Sequence, residues 1–387
     1  VAAVAIAAVG LTGRLFIGAE PAGGSPVAAR TAIVALGDSF ASGEGGRWLG
    51  NGSDPFGTRS GTDRAAFDCG GWDCRYDPHR VYGESEQSGC HRSDVAPIRS
   101  APIQVTEVVN LACSGARTSN LPPSADGGES LRGEPPQADG LAQVAHRADV
   151  RLIVVTVGAN DTGFGEVVAR CALDWARSDP ADPRHCRRAA QAEIAATLPA
   201  MRAGLARALG GIGATMAAAG YARGEYRLVV IGYASPFPAG RWIRYPEDGW
   251  SRLRSGGCPI WNADADWAAG EATPAIDRAM KAAAARAGAE FLDLQHALDG
   301  HQLCDRRAHR VGALGPDPAT AEWVRRLGFA PGALRESLHP DAYGQRAVGA
   351  CIALHYARPP GDYACHATPG RSYADGMWIE PAGRGSG

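Results

Sequence analysis

Short apolar runs rich in β-branched residues, alternating with alanine-rich stretches of helical spacing, constrain this chain more than any other feature. Thr31 to Leu36 is the first run, bounded by glycine; Ile103 to Asn110 and Val150 to Val157 are the next two, and both lead into polar, glycine-bearing loops. Tyr226 to Ile231 and Glu290 to Leu294 read as further buried strands, whereas Ala189 to Leu209, Ala275 to Ala287 and Ala342 to His355 have the spacing of helices. Strands alternating with helices call for a mostly parallel sheet covered on both faces, a three-layer α/β/α sandwich. Sheets of that kind bind ligands at the carboxyl ends of their strands, so the chemistry belongs in the loops that follow the apolar runs.

Two segments break the alternation. Residues 46–89 hold many Gly, Asp, Arg and Ser without a sustained period and read as a long loop insertion after the first strand. Residues 358–387 are rich in Pro and Gly and read as a C-terminal tail tied down by Cys365. The body of the fold therefore spans residues 31–357.

The chain of 387 residues carries a net charge of -2 and shows no basic stripe or zinc-finger spacing, which argues against a nucleic-acid partner. Ten cysteines are spread along it without the paired CxxC spacing of a zinc site, a pattern that favours disulfides and an oxidising compartment. Val1 to Leu11 is an apolar run of signal-peptide length and Val27-Ala28-Ala29 offers small residues for cleavage, but Arg14 interrupts the run before Leu15-Phe16-Ile17. Residues 1–30 are thus expected to be a signal peptide or a membrane anchor, on a protein that is secreted or held at the membrane.

Ser39 falls where the first strand ends and the chain turns toward a helix. Taken alone, Gly37-Asp38-Ser39 is only a turn with an exposed hydroxyl. No G-x-S-x-G elbow, H-E-x-x-H zinc motif or G-x-x-x-x-G-K phosphate loop is present, and neither a metal nor a cofactor is expected. Asn262-Ala-Asp-Ala-Asp266 lacks the glycine and distal glutamate of a calcium loop and reads as a solvated helix start.

Set side by side, Gly37-Asp38-Ser39, Ser114-Gly115, Gly158-Ala-Asn160-Asp161 and His339-Pro340 resemble, in order and spacing, the four blocks of the SGNH (GDSL-type) hydrolase family. The resemblance covers residues 31–357 and implies a flavodoxin-like fold and a carboxylic ester hydrolase. By position it makes Ser39 the nucleophile and His339 the general base, with an oxyanion hole built from the backbone N–H groups of Ser39 and Gly115 and the side-chain amide of Asn160. The residue types suit the reaction, because a serine hydroxyl needs an imidazole to take its proton and the intermediate's oxyanion needs donors already aimed at it. The other histidines, His91 and His296 among them, lack the motif context and read as structural or surface residues. Two groups remain open as the orienter of His339: Glu336, where family members often carry Asp, or the main-chain carbonyl of Ser337, as in some secreted actinobacterial relatives. Asp38 reads as a partner of its own turn, and Asp161 as a brace for the loop carrying Asn160.

Gly89-Cys-His-Arg-Ser93, Ala112-Cys-Ser-Gly115, Gly163-Phe164 and Val230-Ile-Gly-Tyr233 look like the secreted actinobacterial branch of that family, which includes lipases, phospholipases and esterases. The branch implies disulfides joining Cys90 to Cys113, Cys171 to Cys186 and Cys258 to Cys304; Cys69 with Cys74 and Cys351 with Cys365 are paired by proximity alone. A monomer acting on a small-molecule or lipid ester, with contact to a lipid surface as one option, is the expectation. Trp48, Phe56, Trp72, Trp242 and Trp250 are candidates to line or cover an acyl site. Two alternatives stay open: an O-deacetylase of a sugar or glycosylated natural product, and a carbohydrate- or partner-binding module with vestigial hydrolysis.

Overall fold

The computed structural model describes residues 1, 30–53, 58–70, 73–328 and 333–383. Residues 2–29 of the expected leader, Phe56, Trp72 and the side chains of Cys69 and Cys74 lie outside the described residues.

Alternation along the first strand, β1 (Thr31–Gly37), sets up the layers. Val34 and Leu36 point into one core and Ile33 and Ala35 into the other, so both faces of the strand are covered. The strands that come next are β2 (Ala66–Gly70) and β3 (Asp73–Tyr76), a separate antiparallel hairpin, then β4 (Glu107–Asn110), β5 (Asp149–Thr156), β6 (Arg227–Ile231), β7 (Glu290–His296), β8 (Tyr363–Ala367) and β9 (Met377–Pro381). The main sheet has seven strands in the order β4-β1-β5-β6-β7-β8-β9, and every pair is parallel except β8 with β9. This is the three-layer α/β/α architecture expected from the sequence. The order turns back on itself at β1, which has β4 on one side and β5 on the other, and that reversal opens a crevice above the carboxyl end of β1.

The helices are α1 (Ser39–Ser42), α2 (His79–Tyr82), α3 (Ser85–Ser88), α4 (Pro97–Ser100), α5 (Gln137–Arg147), α6 (Phe164–Ala176), α7 (Arg187–Ala218), α8 (Asn262–Trp267), α9 (Thr273–Ala287), α10 (Ala333–Glu336) and α11 (Ala342–Tyr356). Residues of α5, α7 and α9 pack on the face that receives Val34, and residues of α4 and α11 on the face that receives Ile33. Four disulfides occur among the described residues: Cys90–Cys113, Cys171–Cys186, Cys258–Cys304 and Cys351–Cys365.

Four sequence expectations need correction. Residues 358–387 are not a tail, because they supply β8 and β9; Cys365 on β8 is bonded to Cys351 on α11, and the pair belongs to the main core. The insertion 46–89 is not structureless, since it folds into the β2–β3 hairpin, α2 and α3. The second main-sheet strand begins at Glu107 rather than Ile103, where a Thr31–Thr106 side-chain and backbone exchange starts the pairing. Asp264 is not a solvated helix residue. It is buried, and its carboxylate receives the backbone N–H groups of Cys186 and Arg187 at the start of α7.

Candidate active site

Gly37 closes β1 at φ +141°, and a Cβ there would stand 2.0 Å from the Thr156 carbonyl, so only glycine lets the turn run this close to β5. Asp38 then caps α1, accepting the Phe40 N–H at 3.0 Å, and Ser39 is the first helical residue. The Tyr233 hydroxyl donates to the other Asp38 oxygen at 2.5 Å and accepts the Ala159 N–H at 3.1 Å. One phenol thereby ties the Ser39 turn to the loop that carries Asn160. Burial pushes the Asp38 carboxyl up to about 7 against the opposing hydrogen bond from Tyr233. Asp38 is indeed the partner of its own turn; Tyr233, which no motif singled out as a site residue, is the link sequence reasoning missed.

His339 reaches Ser39 from the far end of the chain. Its Nε2 lies 2.7 Å from Ser39 Oγ, and its Nδ1 lies 3.1 Å from the Ser337 carbonyl oxygen. Leu338 between them has φ +62°, the left-handed region that favours glycine, and is pinned there by its N–H to the Arg325 carbonyl while Arg325 N–H returns to the His339 carbonyl. Asp341 caps α11 immediately afterwards, accepting from Tyr343, Gly344 and also Gly50. Burial lowers the His339 pKa below the ordinary histidine value of 6.5, with Glu44 as the largest opposing influence.

Of the two orienting groups the sequence left open, the Ser337 carbonyl faces His339. Both oxygens of Glu336 are engaged elsewhere: Trp48 Nε1 donates to Oε2 at 2.7 Å and the Tyr82 hydroxyl to Oε1 at 3.0 Å. Trp48 is therefore a buried anchor rather than a lining residue.

The two remaining motif loops meet beside this pair. Asn160 Nδ2 donates to the Ala116 carbonyl at 2.8 Å, leaving its second amide proton uncommitted among the described residues. Asp161 braces that loop from below, accepting the Thr118 N–H and hydroxyl. Gly115 adopts φ +89°, and its N–H donates to no group among the described residues. The Cys90–Cys113 disulfide, with Cys113 N–H on the Gly37 carbonyl and Ser114 N–H on the Cys90 carbonyl, fixes the Gly115 loop against the end of β1.

A cavity of about 400 Å³ opens over Ser39 and His339 and includes Asn160 and Tyr233 in its wall. Phe40, Phe164, Val168, Ile276, Leu327 and Leu338 give it an apolar lining. The aromatic residues proposed to line an acyl site do not do so where they are described: Trp242 lies by a separate, polar cleft, and Trp250, 58% exposed, packs edge-on against Trp175. The described part of the insertion contributes nothing to the cavity wall, which comes mainly from the β5–α6 connection and α6, from Tyr233 to Pro236 after β6, and from Leu327 and residues 334–339. His296 pairs with Asp299 at the surface, while His91 is half-buried, stacked on Tyr82 and bonded to Glu44. No group of residues suited to a metal ion occurs among the described residues.

Among solved structures the chain is similar to an extracellular lipase from Streptomyces rimosus, with 22% identity over 81% of this chain and 94% of that one and a TM-score of 0.47. It is similar to phospholipase A1 from Streptomyces albidoflavus NA297 at 21% identity, over 82% of this chain and 95% of that one, with a TM-score of 0.47. An aryl esterase from M. smegmatis is 17% identical over 78% and 96% of the respective chains, with a TM-score of 0.28. No family model and no curated protein matches the chain. With TM-scores below 0.5 these likenesses decide nothing about the reaction, which rests on the site itself.

Proposed function

We propose that this chain is a secreted serine hydrolase of the SGNH (GDSL-type) family, in its actinobacterial branch, which cleaves carboxylic esters through an acyl-enzyme on Ser39. The 2.7 Å hydrogen bond between Ser39 Oγ and His339 Nε2, from residues 300 positions apart, carries this reading. His339 Nδ1–H donates to the Ser337 carbonyl, which holds the tautomer whose Nε2 lone pair faces the serine. Ser39 Oγ attacks the ester carbonyl as its proton passes to Nε2. The oxyanion that forms takes the N–H groups of Ser39 and Gly115 and the free amide proton of Asn160. Collapse expels the alcohol, which leaves with the proton from His339, and water repeats the sequence on the acyl-enzyme.

The apolar wall of the cavity supports an acyl chain of several carbons over an acetyl group, and so favours esterase or lipase action over sugar deacetylation. Leu334, 60% exposed at the cavity rim, supports contact with a lipid surface. The four disulfides among the described residues support secretion, with residues 1–30 as its leader. No helix among the described residues is long and apolar enough to cross a membrane.

Labelling with a fluorophosphonate tests the reading. Wild type takes the label and Ser39→Ala does not; absence of label on wild type, or equal labelling of the variant, overturns it. On p-nitrophenyl esters the rate should rise from acetate to medium chains, and activity confined to acetate would instead mark a deacetylase.

A further inference from the structure

Glu44 is a buried carboxylate that the proposed reaction leaves without a task. Its side chain is fully buried, its N–H donates to the Ser39 carbonyl at 3.0 Å, and its Oε1 accepts from His91 Nδ1 at 2.7 Å. Oε2 has no hydrogen bond of full geometry among the described residues, although Ser114 stands close enough to steady the charge. The next residue, Gly45, adopts φ +86°, and a Cβ there would meet His339 Cβ at 3.2 Å and the Pro340 carbonyl at 3.0 Å. Gln345 clamps the same turn, its Nε2 donating to the carbonyls of Gly43, Glu44 and Pro340. The loop after the nucleophile is thus seated directly against the histidine.

Chemistry supplies the reason for a charge there. When Ser39 attacks, His339 becomes an imidazolium inside the protein, and a buried cation without an opposing charge is costly. The Ser337 carbonyl offers only a dipole. Glu336 has both oxygens occupied, and burial pushes its carboxyl up, toward the neutral form. Burial also works against Glu44, but the hydrogen bond and charge of His91, and then His339 itself, outweigh it and hold Glu44 below the usual carboxylate range.

Resting on the hydrolase reading, we propose that Glu44 is the counter-charge of the Ser39–His339 pair, acting on the imidazolium through space from the nucleophile's own loop. It is a positioning and electrostatic residue and does not touch substrate. His91 orients it; Tyr82, stacked on His91, links it to Glu336, around which Arg47 and Arg325 supply the cations. Within its own segment His339 meets the backbone of Arg335, Glu336 and Ser337.

The test is a histidine ¹⁵N NMR titration of His339, assigned by the signal lost in His339→Asn, in wild type, Glu44→Asp and Glu44→Gln. Removing the negative charge should lower the His339 pKa by about a unit in Glu44→Gln, with the acid limb of kcat/KM moving by the same amount and kcat falling about tenfold. Glu44→Asp, whose carboxylate is set back by one methylene, should fall between the two, and alone decides the matter if Glu44→Gln does not fold. An unshifted His339 titration overturns the proposal, as does a shift in Glu44→Asp as large as in Glu44→Gln, which would be a response to packing. The NMR readout needs no turnover, so a wild type that takes no fluorophosphonate sinks the hydrolase reading, whereas a flat titration sinks this one.

Discussion

Ser39 owes its setting to residues that take no step in the proposed reaction. Asp38 caps its helix, Tyr233 fixes Asp38, and the strained Leu338 turns the Ser337 carbonyl onto the histidine. Burial depresses the His339 pKa, and the proposed base works only when neutral, so the sign of the pH effect is determined. kcat/KM should fall on acidification through a pKa below 6.5, the ordinary value, and a pH–rate profile with its acid limb at or above 6.5 would contradict this. Glu336 gives the second prediction at this scale. Because it receives Trp48 and Tyr82, Glu336→Gln strands one buried donor and should cost about 1–3 kcal/mol in thermal or denaturant unfolding. Activity of the folded variant should stay within about tenfold of wild type; a loss on the order of 1000-fold would return Glu336 to the role of orienter.

Elements show where sequence reading works and where it stops. β1, β5 and the motif loops are legible because unbroken β-branched runs ending in glycine have few other structural uses, and the four loops must meet if the strands are parallel. β8 and β9 are not, since these short strands sit among Pro and Gly and are held by pairing, β8 to β7 and the edge strand β9 to β8, and by the Cys351–Cys365 bond rather than by local pattern. The network that joins Trp48 and Tyr82 to Glu336 is illegible for a related reason: contacts across 288 and 254 residues leave no periodicity to read. α7 is a further case, running past Leu209 through glycines that look like a stop. Gly210 and Gly213 face open space, whereas Gly211 and, earlier in the helix, Gly204 are contact surface. A Cβ on Gly204 would lie 2.2 Å from Thr118 Oγ1, the hydroxyl that donates to Asp161 beside Asn160. Gly204→Ala should therefore gain helix propensity yet displace Thr118, lowering kcat on a p-nitrophenyl ester by about tenfold or more through the Asn160 amide. Unchanged kcat would show that α7 does not set the position of that loop.

At the scale of the whole molecule, the cavity lies where the two cores come together at the carboxyl end of the sheet. Ile276 in its wall belongs to the core on one face, Phe40 to the core on the other, and Tyr233 packs against both. A smaller apolar space continues from it, sharing Phe164, Val168, Leu327 and Leu338 and reaching Trp267 and Ile260. An acyl chain held there would join the cores rather than rest on the surface. Covalent alkylphosphonates on Ser39 turn this into a measurement, since each buried methylene is worth about 0.8 kcal/mol relative to water. The melting temperature of the phosphonylated protein should climb with each carbon added to the alkyl chain until the cavity is full, then level off. Phe164→Trp, which fills the wall shared by the two spaces, should bring the plateau to shorter chains. A melting temperature independent of chain length would mean that the chain points to solvent, and that the apolar wall is packing rather than a binding surface.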